Sequence, residues 1–202
     1  MSFVFTFYLL SFFGGESAMA SDEIAHKVLK EEGNIQIREY KSAVKAVVDI
    51  KASRSDATGK AFRVLFNFIR GNNISSKEIS MTTPVSQTSS QEISMTTPVS
   101  QEKSSEGSWS VAFYMPNKMS FEETPKPKDK RISIEKVPAR KMIAIKFSGR
   151  STDSNIYEHE KELKEYIKKN EIKTVGDPIY AFYSAPFIPW FMRRNEVIFV
   201  VE

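Results

Sequence analysis

The sequence predicts an α+β fold: duplicated ββα-type halves forming a curved antiparallel sheet, or a distorted barrel, with two main helices. Three observations carry this. "IQIREYKSAVKAVVDI" from Ile35 and, ninety-seven residues on, "ISIEKVPARKMIAIKF" from Ile132 each read as two short strands around a turn. Each is followed by apolar residues at helical spacing. Within the first half the ten residues "EISMTTPVSQ" are written twice, at 78–87 and 92–101, with the alternation of extended chain.

The first twenty residues differ from the rest. Phe3 to Phe13 is almost wholly apolar but too short to span a bilayer, which takes roughly 20 residues. Ala18-Met19-Ala20 then offers a small-x-small cleavage site before Ser21-Asp22-Glu23. This predicts a secretory signal peptide at 1–20, with an uncleaved anchor or a misassigned start as alternatives. A lead-in (21–33) and one domain (34–202) follow, and the chain is expected to be periplasmic or secreted.

In the first half, Ile35 and Ile37 and then Ala43 to Ile50 make two strands joined at Tyr40-Lys41-Ser42. Residues 56–70 make a helix on which Phe62, Leu65, Phe66 and Ile69 share a face, ended by Gly71-Asn72-Asn73. Proline and β-branched residues argue against helix in the repeat. A hairpin closed by Thr88-Ser89-Ser90 would set Ile79 opposite Val99, Met81 opposite Thr97, Thr83 opposite Met95 and Val85 opposite Ile93. Pro84 and Pro98 would fall at edges or at breaks in the ladder. The alternative is a slipped duplication with one copy redundant.

"SWSVAFYMP" adds a strand, and "ETPKPKDKR" is a loop joining the halves. The second half repeats the order: two strands meeting at Pro138-Ala139, a helix from Ser154 to Asn170, and the strands "DPIYAFYS" and "EVIFVVE". Under the shift Ile35 maps to Ile132, Ile37 to Ile134, Ile50 to Phe147, Phe66 to Leu163 and Ile69 to Tyr166.

Composition narrows the chemistry. No cysteine is present, which excludes disulfides and thiolate metal sites. The formal charge of +4, one unit more positive without Glu16, is interspersed with acids and makes no nucleic-acid footprint. Only His26 and His159 exist, and His26 lies close to the expected mature terminus, where order is least expected. His159-Glu160 opens like a zinc-protease helix, but Leu163 stands where the second histidine is needed. With no nucleophile elbow, P-loop or dinucleotide fingerprint, the residues point to a binding module without metal or catalytic residues, not to an enzyme. The apolar excess of "YAFYSAPFIPWFMRRNEV" marks either a ligand or contact surface or a cap on the core.

"FIRGNN", the twice-written "ISMTTPV", "WSVAFYMP" and "PFIPWFMRRNEV", in this order, resemble the SOUL haem-binding protein family, and the doubled segment resembles its bacterial members. The resemblance runs from about Asn34 to Glu202. It implies a fold similar to the gyrase-inhibitor-like effector domains, and binding of haem or another porphyrin in an open hydrophobic groove between the first helix and the loop before "RRNEV". The implied groove residues are Phe62, Phe66 and Asn67 on the helix and Ser184, Ala185, Pro186 and Phe187 on the loop. Asn67 stands where the family has a basic residue, and Glu39 where some members have a histidine, so an axial ligand is not expected there.

Lys60, Arg63 and Arg70, on or near the helix, are candidate propionate partners or ordinary solvated charges. Met81 and Met95 read as core residues before iron ligands. No stable membrane insertion is expected once the leader is removed. Two alternatives stand beside the binding module: an enzyme or accessory factor acting on tetrapyrroles, and an effector-sensing or protein-interaction domain for another amphipathic ligand.

Overall fold

A computed structural model describes residues 23–75, 90–105, 107–185 and 187–202. The expected leader, the first repeat copy with Met81, and Pro186 lie outside them. The chain forms β1 (His26–Glu32), β2 (Ile35–Tyr40), β3 (Ala43–Lys51), α1 (Arg54–Ile69), β4 (Asn73–Ile74), β5 (Val99–Ser105), β6 (Ser108–Tyr114) and β7 (Lys126–Pro127). It continues through β8 (Ile132–Val137), β9 (Arg140–Phe147), α2 (Asp153–Lys169), β10 (Thr174–Phe182), a 3-10 turn (Trp190–Met192) and β11 (Asn195–Val201). The architecture is α+β, as expected. Nine strands make one antiparallel sheet in the order β1-β2-β9-β11-β10-β5-β6-β3-β8, while β4 and β7 pair separately.

Leaving β1 aside, this order reads the same from either end when β2, β3, β5 and β6 are exchanged for β8, β9, β10 and β11. The register obeys the same exchange. Ile35 faces Ile145 and Ile37 faces Ile143; ninety-seven residues on, Ile132 faces Val48 and Ile134 faces Ala46. Each half lends its first strand to the other half's sheet, and β5 and β10 meet at the centre through Val99–Phe182, Ser100–Ala181 and Gln101–Tyr180.

The helices lie on one face, each over its own apolar cluster. Under α1 are Val44, Val48, Ala61, Leu65, Phe68, Val111 and Phe113; under α2 are Ile35, Ile143, Ile145, Ile156, Leu163, Val197 and Phe199. Ser53 and Thr152 cap the helices by accepting from the amides of Asp56 and Asn155. The side chain of Arg54 ties the two N-termini together through Asp153 and the Ser151 carbonyl. On the opposite face Tyr40, Met142, Ala144, Ile179, Ala181 and Ile198 form a third cluster.

Four sequence expectations are corrected. Ala57, Ala61, Leu65, Phe68 and Ile69 form the buried face of α1, while Phe66 is exposed and Phe62 only half-buried. The cause is a one-residue slip between strands and helices: Leu65, Phe68 and Ile69 correspond to Leu163, Tyr166 and Ile167, an offset of ninety-eight, which turns α1 by one residue's arc. The repeat does not pair as a hairpin at Val99, whose two edges are taken by Phe113 and Phe182. The second copy nonetheless keeps its alternation, with Ile93, Met95 and Val99 all packed under α1 and Pro98 just ahead of β5.

The lead-in is part of the sheet as β1, so His26 is ordered, its ring 4.8 Å from that of Tyr40. In the connecting loop, Lys126 and Pro127 form a short ladder with Ile74 and Asn73.

Candidate ligand-binding site

The turn of α1 that leaves Phe66 outside creates an aromatic surface. Alanines at 57 and 61 let the helix approach the sheet closely, and Leu65 and Phe68 fill the space beneath. Phe62 is gripped edge-on by the core ring of Phe113 at 5.2 Å, and Phe66 stacks on Phe62 at 5.7 Å with their planes 12° apart. Phe66 remains 39% exposed. Arg70 lies over its ring, 6.0 Å from the centroid. Arg63, Asn67 and Arg70, spaced at four and three and all exposed, form a polar stripe beside the pair. Lys60 is exposed one turn earlier.

The second half of the predicted groove is the loop after β10. Phe182 is paired with Val99, which packs in the cluster that also holds Phe62, so the loop begins beside α1's core. The Ser184 hydroxyl accepts from the Arg194 amide at 2.9 Å and thereby pins the loop's two ends together. Ala185 is half-buried and its carbonyl accepts from Ile188. Phe187 is exposed, as are Trp190, Phe191 and Met192. Thus Phe62, Phe66, Asn67 and Arg63 come together on one helix and Ser184, Ala185 and Phe187 on one loop. Among the described residues no ring contact joins Phe66 to Phe187.

Beneath that loop lies a buried polar network that sequence reasoning missed. Arg38 grips Glu196 with two hydrogen bonds of 2.7 and 2.9 Å, their side chains 2% and 0% exposed. Arg194 adds a second guanidinium at 2.8 Å, Tyr183 donates its hydroxyl to Glu196 at 2.8 Å, and Arg38 donates to Tyr40 and Gln36. Burial pushes the Glu196 carboxyl up, but the bonds and charge from Arg38, with Arg194 and Tyr183, outweigh it and hold it below the ordinary value. Burial, reinforced by the Glu196 charge, raises Tyr183 well above its ordinary value. A partial signal was present in Glu196, a charge at the head of the apolar run Val197–Val201 that needs a partner if buried, whereas Arg38 follows Gln36 on the polar alternation of β2 and reads as solvent-facing.

Arg194 also reaches Glu23 at 2.6 Å, and the adjoining Ile24 closes an apolar cavity lined by Tyr40, Tyr114, Met142, Ala181 and Ile198. That cavity measures about 20 Å³, room for one water and not for a macrocycle.

Neither histidine stands in the predicted groove. His159, on α2, stacks flat on Phe147 at 4.1 Å and donates its Nδ1 proton to the Asn155 carbonyl at 2.7 Å. His26 lies beside Tyr40 on β1. Glu39 is exposed, and Met95 is packed in the α1 cluster. Among the described residues no group of three or more His, Asp or Glu side chains is placed to hold a metal ion.

Residues 21–200 match the family described as SOUL heme-binding protein. The chain belongs to the SOUL family. None of the curated proteins matches the sequence. Solved structures share the SOUL protein's fold at low identity. The C-terminal domain of EcmrR aligns with a TM-score of 0.60 and 11% identity, over 83% of this chain and 96% of that one. A structure described as a hydrolase from Listeria innocua aligns at 0.53 and 8%, over 86% and 94%. An uncharacterized conserved protein from Listeria innocua aligns at 0.54 and 9%, over 84% and 92%. At such identities the likeness is one of fold.

Proposed function

We propose that this SOUL protein binds haem or a related tetrapyrrole without turning it over, on the surface formed by Phe62, Phe66, Asn67 and Arg63 of α1 and Ser184, Ala185 and Phe187 of the loop. The observation that carries this is the Phe62–Phe66 stack, anchored on Phe113 at one end and open to solvent at the other. A flat apolar ring covering Phe66 gains about 25 cal/mol per Å2 removed from water, enough for micromolar affinity after association costs. Arg63 and Arg70 would meet propionates at the rim, Arg70 exchanging its exposed ion pair with Glu92 for one with the ligand. The macrocycle supplies its own redox and ligand chemistry when bound; the chain's part is to hold its face and shield it.

No axial histidine takes part in this reading, because His159 is committed to Phe147 and Asn155 on the other helix. Haem and metal-free porphyrin should therefore bind within about tenfold of each other in absorbance titrations. His159→Ala should leave the visible spectrum of the haem complex unchanged, and its loss in that variant would reject the reading. We place the protein in the periplasm or outside the cell, on the strength of the apolar N-terminal stretch and the Ala18-Met19-Ala20 site. Fractionation should recover a chain beginning at Ser21 outside the cytoplasm; full-length chain in the cytosol would refute that.

A further inference from the structure

We propose that the turn at residues 187–192 docks the protein on an anionic lipid surface. Phe187, Trp190, Phe191 and Met192 are 74, 53, 60 and 67% exposed, four large apolar side chains in one short loop. Trp190 and Phe191 brace each other edge to face at 5.7 Å. A patch of this kind on an otherwise charged chain marks a contact surface, and Trp and Phe are the side chains that settle at the boundary of headgroups and acyl chains.

Two further features select a bilayer as the occupant. The turn binds much of its own backbone: Ile188 donates to Ala185, Met192 to Pro189 and Arg193 to Trp190, while the Trp190 carbonyl also accepts from Gly149 and the Ile188 carbonyl from the Arg193 guanidinium. Entry into a water-poor layer requires such internal satisfaction. The surroundings are also cationic. Arg150 is exposed immediately after Gly149, the residue that holds Trp190, and Arg193 stands at the turn's root. Of the carboxylates near its base, Asp153 pairs with Arg54, and Glu196 and Glu23 pair with Arg38 and Arg194. An apolar tip with the exposed Arg150 beside its base is complementary to anionic headgroups. Among the described residues no helix is long and apolar enough to cross a membrane.

The proposal stands apart from tetrapyrrole binding, although Phe187 serves both surfaces. The test is flotation of the protein with vesicles of equimolar phosphatidylcholine and phosphatidylglycerol, or of phosphatidylcholine alone. Anionic vesicles should carry the protein up, less so at high salt, and neutral vesicles should carry it weakly. Trp190→Ser combined with Phe191→Ser should lower anionic-vesicle binding by at least about tenfold with thermal melting unchanged, and Arg150→Glu should lower only the salt-sensitive part. Phe66→Asp should still float while losing porphyrin, which separates this surface from the groove. Failure of the wild-type protein to float with anionic vesicles, or equal flotation of the double variant, overturns the proposal. So does a lipid-free dimer in sedimentation velocity that the double variant dissolves, since the turn then serves a second copy of this chain.

Discussion

Replacing Glu196 with Gln removes one charge from the buried network while keeping its shape. Arg38 would be left 2% exposed, facing an amide with only Tyr40 and Gln36 as further partners. Breaking a buried pair by taking away one partner costs about 3–5 kcal/mol, a large share of the 5–15 kcal/mol that holds a typical domain together. Urea denaturation at neutral pH measures this. The pH dependence gives a second reading of the same term. The folded pKa of Glu196 lies below its ordinary value near 4.5, so its contribution is complete above that pH and is lost as pH falls through the folded value. The gap between wild type and Glu196→Gln should therefore be widest near neutrality and narrow in acid. Arg38→Met with Glu196→Met should recover most of the loss, because the two apolar chains leave no stranded charge, and Arg194 keeps Glu23. A loss below about 1 kcal/mol for Glu196→Gln, or a gap that does not change with pH, would refute the claim that this pair is held charged in the interior.

Phe66→Asp should weaken porphyrin binding at least about hundredfold, combining a lost apolar contact with a charge set against the ring, yet cost under about 2 kcal/mol of stability because the side chain already faces water; titration beside a thermal melt checks both. Leu65→Ala, one position earlier but fully buried, should do the reverse, costing about 2–5 kcal/mol and leaving the affinity of the folded fraction within about threefold. Gly149→Ala should destabilise, since φ is 106° there and a Cβ would meet the Asn155 amide nitrogen at 2.7 Å; an unchanged melting temperature would show that Asn155 gives way freely.

The strands were legible because two signals agreed, alternation within each segment and its recurrence at a fixed offset. Ile35, Ile37, Ile132 and Ile134 fall in the paired strands those signals predict. The helix faces were less so. Three-and-four spacing grouped Phe66 with Leu65 and Ile69, but the buried arc of α1 is one residue round and takes Phe68 instead. The expected pairing at Val99 failed for a related reason: alternation says which side chains share a face and not which strand lies alongside, and β6 and β10 take both edges of Val99. The aromatic loop was visible from composition; its exposure was not, because the same residues would serve as well under a core. Arg38 and Glu196 went unpaired in the sequence because no local pattern links residues so far apart.

That separation has a consequence for how the chain is made. Arg38 leaves the ribosome early, while its carboxylate partner lies 158 residues later, on the last strand. β2 also has to wait for β9, and β3 for β8. Neither half can complete its sheet during synthesis, and the early strands stay open-edged, with a buried-type charge unmatched, until almost the whole chain has emerged. The early strands therefore stay exposed to aggregation and proteolysis until β8, β9 and β11 have arrived to complete the sheet.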